Sequence, residues 1–303
     1  MKALIFSIIS FSFLFSSSFD FKLKPIKLSD NSYYFYGKKE YFSPSNGGDI
    51  ANCAFIITKK SVILIDTGSS KEYGEQVKKE IRKITSKPIK YIINTHHHPD
   101  HFLGNAAFTN SDIYATEFTK NDIEQNGELY IVNLVNLIHD AMDGTRIKAP
   151  NQVLTTETLN FDNYKLKVLY MDGHTESDIV IFDENSKILY TSDLIFNKRT
   201  LTTPHANIDE WIKSLYQLEK INYSVLVPGH GIASKTKEPI KENIAYLNFL
   251  ENTLKDSANK GLDIFEILSK PIPKEFEDFA MFKEEFERSI INLYPSYERN
   301  VNK

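Results

Sequence analysis

Thr95-His96-His97-His98-Pro99-Asp100-His101 packs four histidines and an aspartate into seven residues, directly after the apolar run Tyr91-Ile92-Ile93. Histidines this close repel one another when protonated and waste packing surface when neutral, and a bound metal ion resolves both problems. His96 and His98 are one residue apart, so on an extended segment they face the same side and can chelate one ion. His97 faces the other way and is assigned no ligand role. Pro99 bends the chain, which lets Asp100 and His101 reach a second ion beside the first. Paired ions about 3.5–4 Å apart clamp both the nucleophile and the leaving group of a hydrolysis.

Outward from this stretch the chain alternates strands and helices. Residues 52–58 and 62–65 read as apolar strands, the second ending at Asp66-Thr67-Gly68. Ser69 or Ser70 can cap a helix in which Tyr73, Val77, Ile81 and Ile84 recur at helical spacing, and Lys87-Pro88 stops it. Residues 91–94 are the next strand. This strand–helix–strand unit places the histidines at the C-terminal end of a buried strand, where α/β sheets build their sites. Residues 116–142 are helical, and the apolar stretch 129–138 is expected to pack into the core rather than form a lid or a dimer surface. Leu166, Val168 and Tyr170 lie at alternate positions of a strand that ends at Asp172-Gly173-His174-Thr175. Residues 179–182 and 187–191 flank Asp183-Glu184-Asn185-Ser186 as a hairpin whose second arm ends at Ser192-Asp193. A helix over 208–221 puts Trp211, Leu215 and Leu218 on one face. The strand 224–227 ends at Pro228-Gly229-His230-Gly231, and from Lys241 onward the chain is mostly helical without a metal-ligand motif.

The His-x-His-x-Asp-His pattern of His96 to His101 resembles the signature of the metallo-β-lactamase superfamily. Asp66-Thr67-Gly68, Gly173-His174, Ser192-Asp193 and Pro228-Gly229-His230 resemble its other motifs in the family's order, over about residues 45–235. The resemblance implies an α/β fold, a four-layer αβ/βα sandwich with the metals in a groove between the sheets and a helical C-terminal segment. It implies one ion on His96, His98 and His174 and a second on Asp100, His101 and His230. Asp193 then bridges the two, and Asp66 steadies the site by hydrogen bonds. Asp100 is the expected catalytic residue, orienting a metal-activated water against an ester, thioester, lactone or related bond. Nitrogen and oxygen ligands without a thiolate suit two Zn²⁺, with Fe or Mn compatible. Asp193 stands where true β-lactamases usually carry Cys or Ser, which is more like thioesterases and lactonases of the family. Tyr73-Gly74-Glu75-Gln76, Gly104-Asn105-Ala106-Ala107-Phe108 and Arg199-Thr200 through Trp211 resemble exported SoxH-like metallohydrolases of sulfur-oxidation and quinoprotein systems. The competing readings are a mono-iron persulfide-dioxygenase-like enzyme, which leaves the His230 position unused, and a non-catalytic metal- or substrate-binding protein.

The remaining sequence sets the context. In 303 residues with a net charge of −4 there is no electrostatic footprint for nucleic acid. Met1-Lys2, an apolar run over 3–15 and Ser16-Ser17-Ser18 have the layout of a secretory signal peptide, residues 1–18. The expected product is periplasmic or secreted, without a membrane anchor after processing. A metallo-β-lactamase-like domain over 19–235 and a helical extension over 236–303 packed on it follow. Cys53 is the only cysteine, so no internal disulfide forms and the thiol is read as a small core residue. The expected partner is a small-molecule substrate; the sequence leaves the oligomeric state open. His139 and His205 are read as surface or packing residues before substrate contacts. Asn46-Gly47-Gly48-Asp49 is either a loop over the groove or a plain turn.

Overall fold

The computed structural model describes residues 19–301, so the signal-peptide reading of residues 1–18 lies outside it. Seven strands form the first sheet in sequence order: β1 (Pro25–Lys27), β2 (Ser32–Phe35), β3 (Cys53–Ile57), β4 (Val62–Ile65), β5 (Ile89–Ile93), β6 (Asp112–Ala115) and β7 (Gln152–Val153). Five form the second, β8 (Thr158–Phe161), β9 (Tyr164–Met171), β10 (Asp178–Asp183), β11 (Ile188–Phe196) and β12 (Val225–His230), in the order β12-β11-β10-β9-β8. The helices are α1 (Lys71–Ile84), α2 (Pro99–Phe102), α3 (Glu117–Ile138), α4 (Ile208–Glu219), α5 (Glu238–Lys260), α6 (Ile264–Leu268) and α7 (Phe282–Val301). Among the described residues no helix is long and apolar enough to cross a membrane.

The strand pattern dictates the layering. Side chains alternate across a strand, so one that is apolar at every position must be covered on both faces. On β4, Val62 and Leu64 join an outer core with Tyr73, Val77 and Ile81 of α1, while Ile63 and Ile65 face inward. On β10, Ile179 and Ile181 face that same inner core, and Val180 and Phe182 face Trp211 and Leu215 of α4. The result is helix, sheet, sheet, helix, as the resemblance implies. Leu247 and Leu250 of α5 and Ile290 and Tyr294 of α7 complete the outer core on the second sheet.

Ser70 is the N-cap of α1, its side chain accepting from Tyr73 N. β4 and β5 are parallel, as the α1 crossover requires. Three details differ from the sequence reading, and one alternative it left open is decided. The stretch 129–138 does not sink into the core: Leu134 and Ile138 are buried, but Leu129, Val132 and Val135 are 59%, 57% and 45% exposed because α3 lies across the surface of its layer. Tyr170 is exposed and Met171 buried, so the alternation of β9 breaks near its end. β11 does not end at Asp193 but runs on to Phe196, with register shifts against β12 on either side of Ser192, which has φ +46°. Residues 46–49 form a buried turn: Asn46 Oδ1 accepts from Gly48 N and Ser43 N, and Asn46 Nδ2 donates to Tyr41 O.

Candidate metal centre

The site forms where the C-terminal ends of the central strands of both sheets meet. Asp66 follows β4 at φ +57°, a left-handed conformation that aspartate tolerates better than most residues. Its carboxylate organises the turn after β5: Oδ1 accepts from Thr95 N over 2.9 Å and Oδ2 from Thr95 Oγ1 over 2.8 Å. Pro99 then opens the one-turn helix α2, where its missing N–H costs nothing. Thr67 N donates to His101 O, closing this turn onto the strand beside it. Gly104 is required here, since a Cβ would stand 2.0 Å from Thr67 O. From the second sheet come His174 after β9, Asp193 on β11 and His230 at the end of β12. Asn52 ties the sheets together, its Nδ2 donating to Pro228 O and Gly231 O on either side of His230.

Two groups of donor atoms result. His96, His98, His174 and Asp193 form one, and Asp100, His101 and His230 the other, with one ligand atom per residue and all atoms of a group within 4.8 Å of each other. Asp193 reaches both, with Oδ2 at 3.3 Å from His174 Nε2 and 3.2 Å from His230 Nε2, and Oδ1 at 3.1 Å from His101 Nε2. His101 Nδ1 lies 2.9 Å from Asp66 Oδ2 and His230 Nδ1 2.8 Å from Ile50 O. Both partners are acceptors, so each Nδ1 carries a proton and each Nε2 is the nitrogen turned toward the centre. Phe196 stacks on His230 with ring centres 4.9 Å apart, and Trp211 meets His174 edge-on at 5.1 Å.

The centre fits a metal on one observation. His96 Nε2, His101 Nε2 and Asp193 Oδ1 are buried without a hydrogen-bond partner; the 3.1 Å approach of the last two is out of line for one. Buried polar atoms left unpaired are costly, and here their lone pairs converge. A cation relieves that repulsion. Burial and the neighbouring imidazoles hold His96 and His98 well below the usual histidine range, and burial holds His174 at about 3, so all three offer neutral nitrogens. Burial opposes charge on His101 too, but Asp193, Asp100 and Asp66 together push it well up. That is the electrostatic demand of a site built for positive charge.

A profile of the Metallo-beta-lactamase superfamily matches residues 46–230. The chain belongs to that superfamily. Among curated relatives of this superfamily, a linear primary-alkylsulfatase from Pseudomonas is 25% identical over 78% of the chain, which spans only 54% of that enzyme's length. A probable metallo-hydrolase of Methanocaldococcus jannaschii is 28% identical over 61% of the chain and 90% of its own length. A metallo-beta-lactamase from Pontibacter korlensis has the same superfamily fold, with a TM-score of 0.61 and 21% identity over 75% of the chain and 99% of that structure. The superfamily typically binds divalent metal, in keeping with the two His/Asp groups.

Every residue singled out in the sequence as a ligand lies in one of the two groups, and Asp66 lies directly behind them. His139 is exposed at the end of α3, away from the centre. His205 is not a bystander: its Nδ1 is 2.9 Å from His98 Nε2, on the side of His98 away from His174. His97, His98 and His205 form a third trio of nitrogens. Sequence reasoning missed the cavity over the centre, of about 650 Å³, which Asp100, Asp193 and His230 share with Leu129 and Leu134 of α3 and Arg288 of α7. Leu129 belongs to the apolar stretch 129–138, whose set-aside lid reading is the one signal toward this cavity, whereas no local signal marks Arg288, on a helix far from the motifs in sequence.

Proposed function

We propose that this chain is an exported binuclear zinc-dependent hydrolase acting on an ester, thioester, lactone or sulfate ester of a small molecule. The convergence of unpaired, buried nitrogen and carboxylate lone pairs carries this reading. In it, His96, His98 and His174 hold one ion, Asp100, His101 and His230 the other, and Asp193 stands between. When bound there, two divalent cations would supply Lewis acidity toward the oxygen of the scissile group and lower the pKa of a water toward neutrality. Asp100 is the carboxylate that faces both the second group and the cavity. It would orient the attacking water and take up its proton as the new bond to oxygen forms, then hand that proton to the leaving group as the scissile bond breaks. Asp66 and Ile50 hold the two Nδ1 protons in place, so His101 and His230 do not turn as substrate enters. Arg199, Leu129 and the cavity's other lining residues position the substrate.

Zinc is preferred because all seven donors are nitrogen or oxygen and none is a thiolate. The sulfate ester enters through the named activity of the Pseudomonas relative. A mono-iron enzyme has no use for the second group, and here His230 is fixed in orientation by Phe196 stacked on its ring and by Ile50 O at Nδ1. The test is metal content of protein purified without chelator, together with hydrolysis of an acyl thioester, a lactone, a linear alkyl sulfate and a β-lactam. Two ions per chain and hydrolysis of at least one of the first three are expected. A single ion at saturating zinc, or two ions with no hydrolysis of any of the four, overturns the reading.

A further inference from the structure

The cavity over the metal centre carries a polar group that lies partly outside the family domain. Arg199, just after β11, and Glu285 and Arg288, both on α7, line it together with the centre itself. Arg199 and Glu285 are 2% and 1% exposed and form a closed pair: Arg199 Nη2 donates to Glu285 Oε1 over 3.2 Å, and Thr202 Oγ1 donates to the same oxygen over 2.9 Å. Among the described residues Arg199 Nε and Glu285 Oε2 are left without a hydrogen bond. Among the described residues the only carboxylate paired with Arg288 is this same one, Glu285. Its Nη1 is 3.8 Å from Glu285 Oε2, too far for a hydrogen bond, and its guanidinium lies 5.9 Å from the centre of the Tyr41 ring. Two guanidiniums therefore share one carboxylate, and the surplus positive charge sits on Arg288, at the solvent-accessible side of the group. Leu129, Leu134 and Leu137 of α3 give the same cavity an apolar wall.

A fork of five donors whose one carboxylate is shared with a second guanidinium, beside an alkyl-lined wall, matches one kind of ligand. We infer that Arg288 is an anion-binding subsite, which takes the oxyanion, carboxylate or sulfate, of an amphiphilic substrate whose alkyl part lies along Leu129, Leu134 and Leu137. This rests on the proposed reading of the cavity as the substrate site. The Arg199–Glu285 pair keeps Arg288 at the cavity, Glu285 Oε2 attracting the guanidinium without neutralising it.

Calorimetric titration of the zinc-loaded protein with octane-1-sulfonate, which is not hydrolysed and is a poor metal ligand, and with octan-1-ol tests this directly. Wild type is expected to bind the sulfonate at least tenfold more tightly than the alcohol. Arg288→Gln brings the two within about threefold by weakening the sulfonate alone, and Arg288→Lys recovers part of the difference. Leu134→Ala weakens both ligands together. Octanoate and octyl sulfate, run the same way, show which oxyanion depends more on Arg288. Equal binding of sulfonate and alcohol by wild type overturns the proposal, as does an Arg288→Gln protein that keeps wild-type sulfonate affinity. If Arg288→Gln does not fold, competition of the sulfonate with chloride and with acetate on wild type replaces it, and a sulfonate affinity insensitive to both overturns the proposal. Binding through Arg288 in a protein that hydrolyses nothing leaves this subsite standing and removes only the hydrolase reading.

Discussion

Asp66 Oδ2 lies 2.9 Å from His101 Nδ1, and this contact fixes which nitrogen of His101 faces the metal centre. The same oxygen accepts from Thr95 Oγ1, so one carboxylate sets both the ring and the turn that carries it. Removing it frees the tautomer and the turn together. Loss of such an outer partner typically weakens metal affinity by about 10–100-fold. Asp66→Ala is expected in that range in a zinc competition titration against a chromophoric chelator. Asp66→Asn, which tolerates φ +57° and keeps one acceptor oxygen, is expected to lose less. Unchanged affinity in the Ala variant would show that Asp66 serves the turn alone.

Gly229 offers a way to disturb the centre without deleting a ligand. A Cβ there would stand 1.9 Å from Asp193 Oδ1 and 2.7 Å from Asp193 N. Gly229→Ala must push the Asp193 carboxylate aside, with an overpacking cost of about 1–3 kcal/mol. The expected outcome is a lowered Tm, loss of at least one ion per chain and loss of hydrolysis. Gly261→Ala is the control: nothing lies within 4 Å of its Cβ, but φ is +65°, so it should lower Tm through backbone strain and keep its metal. A Gly229→Ala protein with two ions and full activity would remove Asp193 from between the two groups.

Asp49 carries a pH dependence that has nothing to do with catalysis. Burial pushes its carboxyl up to about 7, with Lys38 pulling the other way, and Asp49 Oδ1 has no hydrogen bond. The folded state thus holds a proton that the unfolded chain releases near the ordinary carboxylate value of about 3.9. Its contribution is most favourable below that value and is lost as pH rises toward about 7. Asp49→Asn should therefore gain in Tm relative to wild type between pH 4 and pH 7, measured on both proteins in chelator so that the histidine ligands cancel. A difference that stays flat across this window would show that Asp49 is ionised in the fold.

Much of this was legible because it is local. The all-apolar β4, the apolar run Tyr91-Ile92-Ile93 of β5, the Ser70 cap and the spacing of Tyr73, Val77 and Ile81 fix a strand–helix–strand unit whatever surrounds it. The seven residues that the resemblance singles out, Asp193 among them as a bridge, are brought together by the fold as two groups of donor atoms, because short turns at strand ends hold side chains in fixed directions. The expectations that failed depended on distant packing. Whether the stretch 129–138 sinks or stays at the surface is not decided by its own hydrophobicity but by what lies over it, and a cavity lies over part of it. β11 outran its expected end at Asp193 because the bulge at Ser192 lets the strand absorb a polar turn and continue pairing with β12.

The sequence by itself determined alternating strands and helices with histidines and aspartates in turns at the strand ends, since periodicity and short motifs are properties of neighbouring residues; the sandwich itself was what the resemblance to the superfamily implied. Only the tertiary structure decided which ring nitrogens are turned inward, that His205 stands against His98, and that Arg288 of the last helix lines the cavity over the centre. Those depend on groups that are far apart along the chain, 107 residues in the case of His98 and His205. Their orientation is set by hydrogen bonds and packing that exist only once the two sheets have closed on each other.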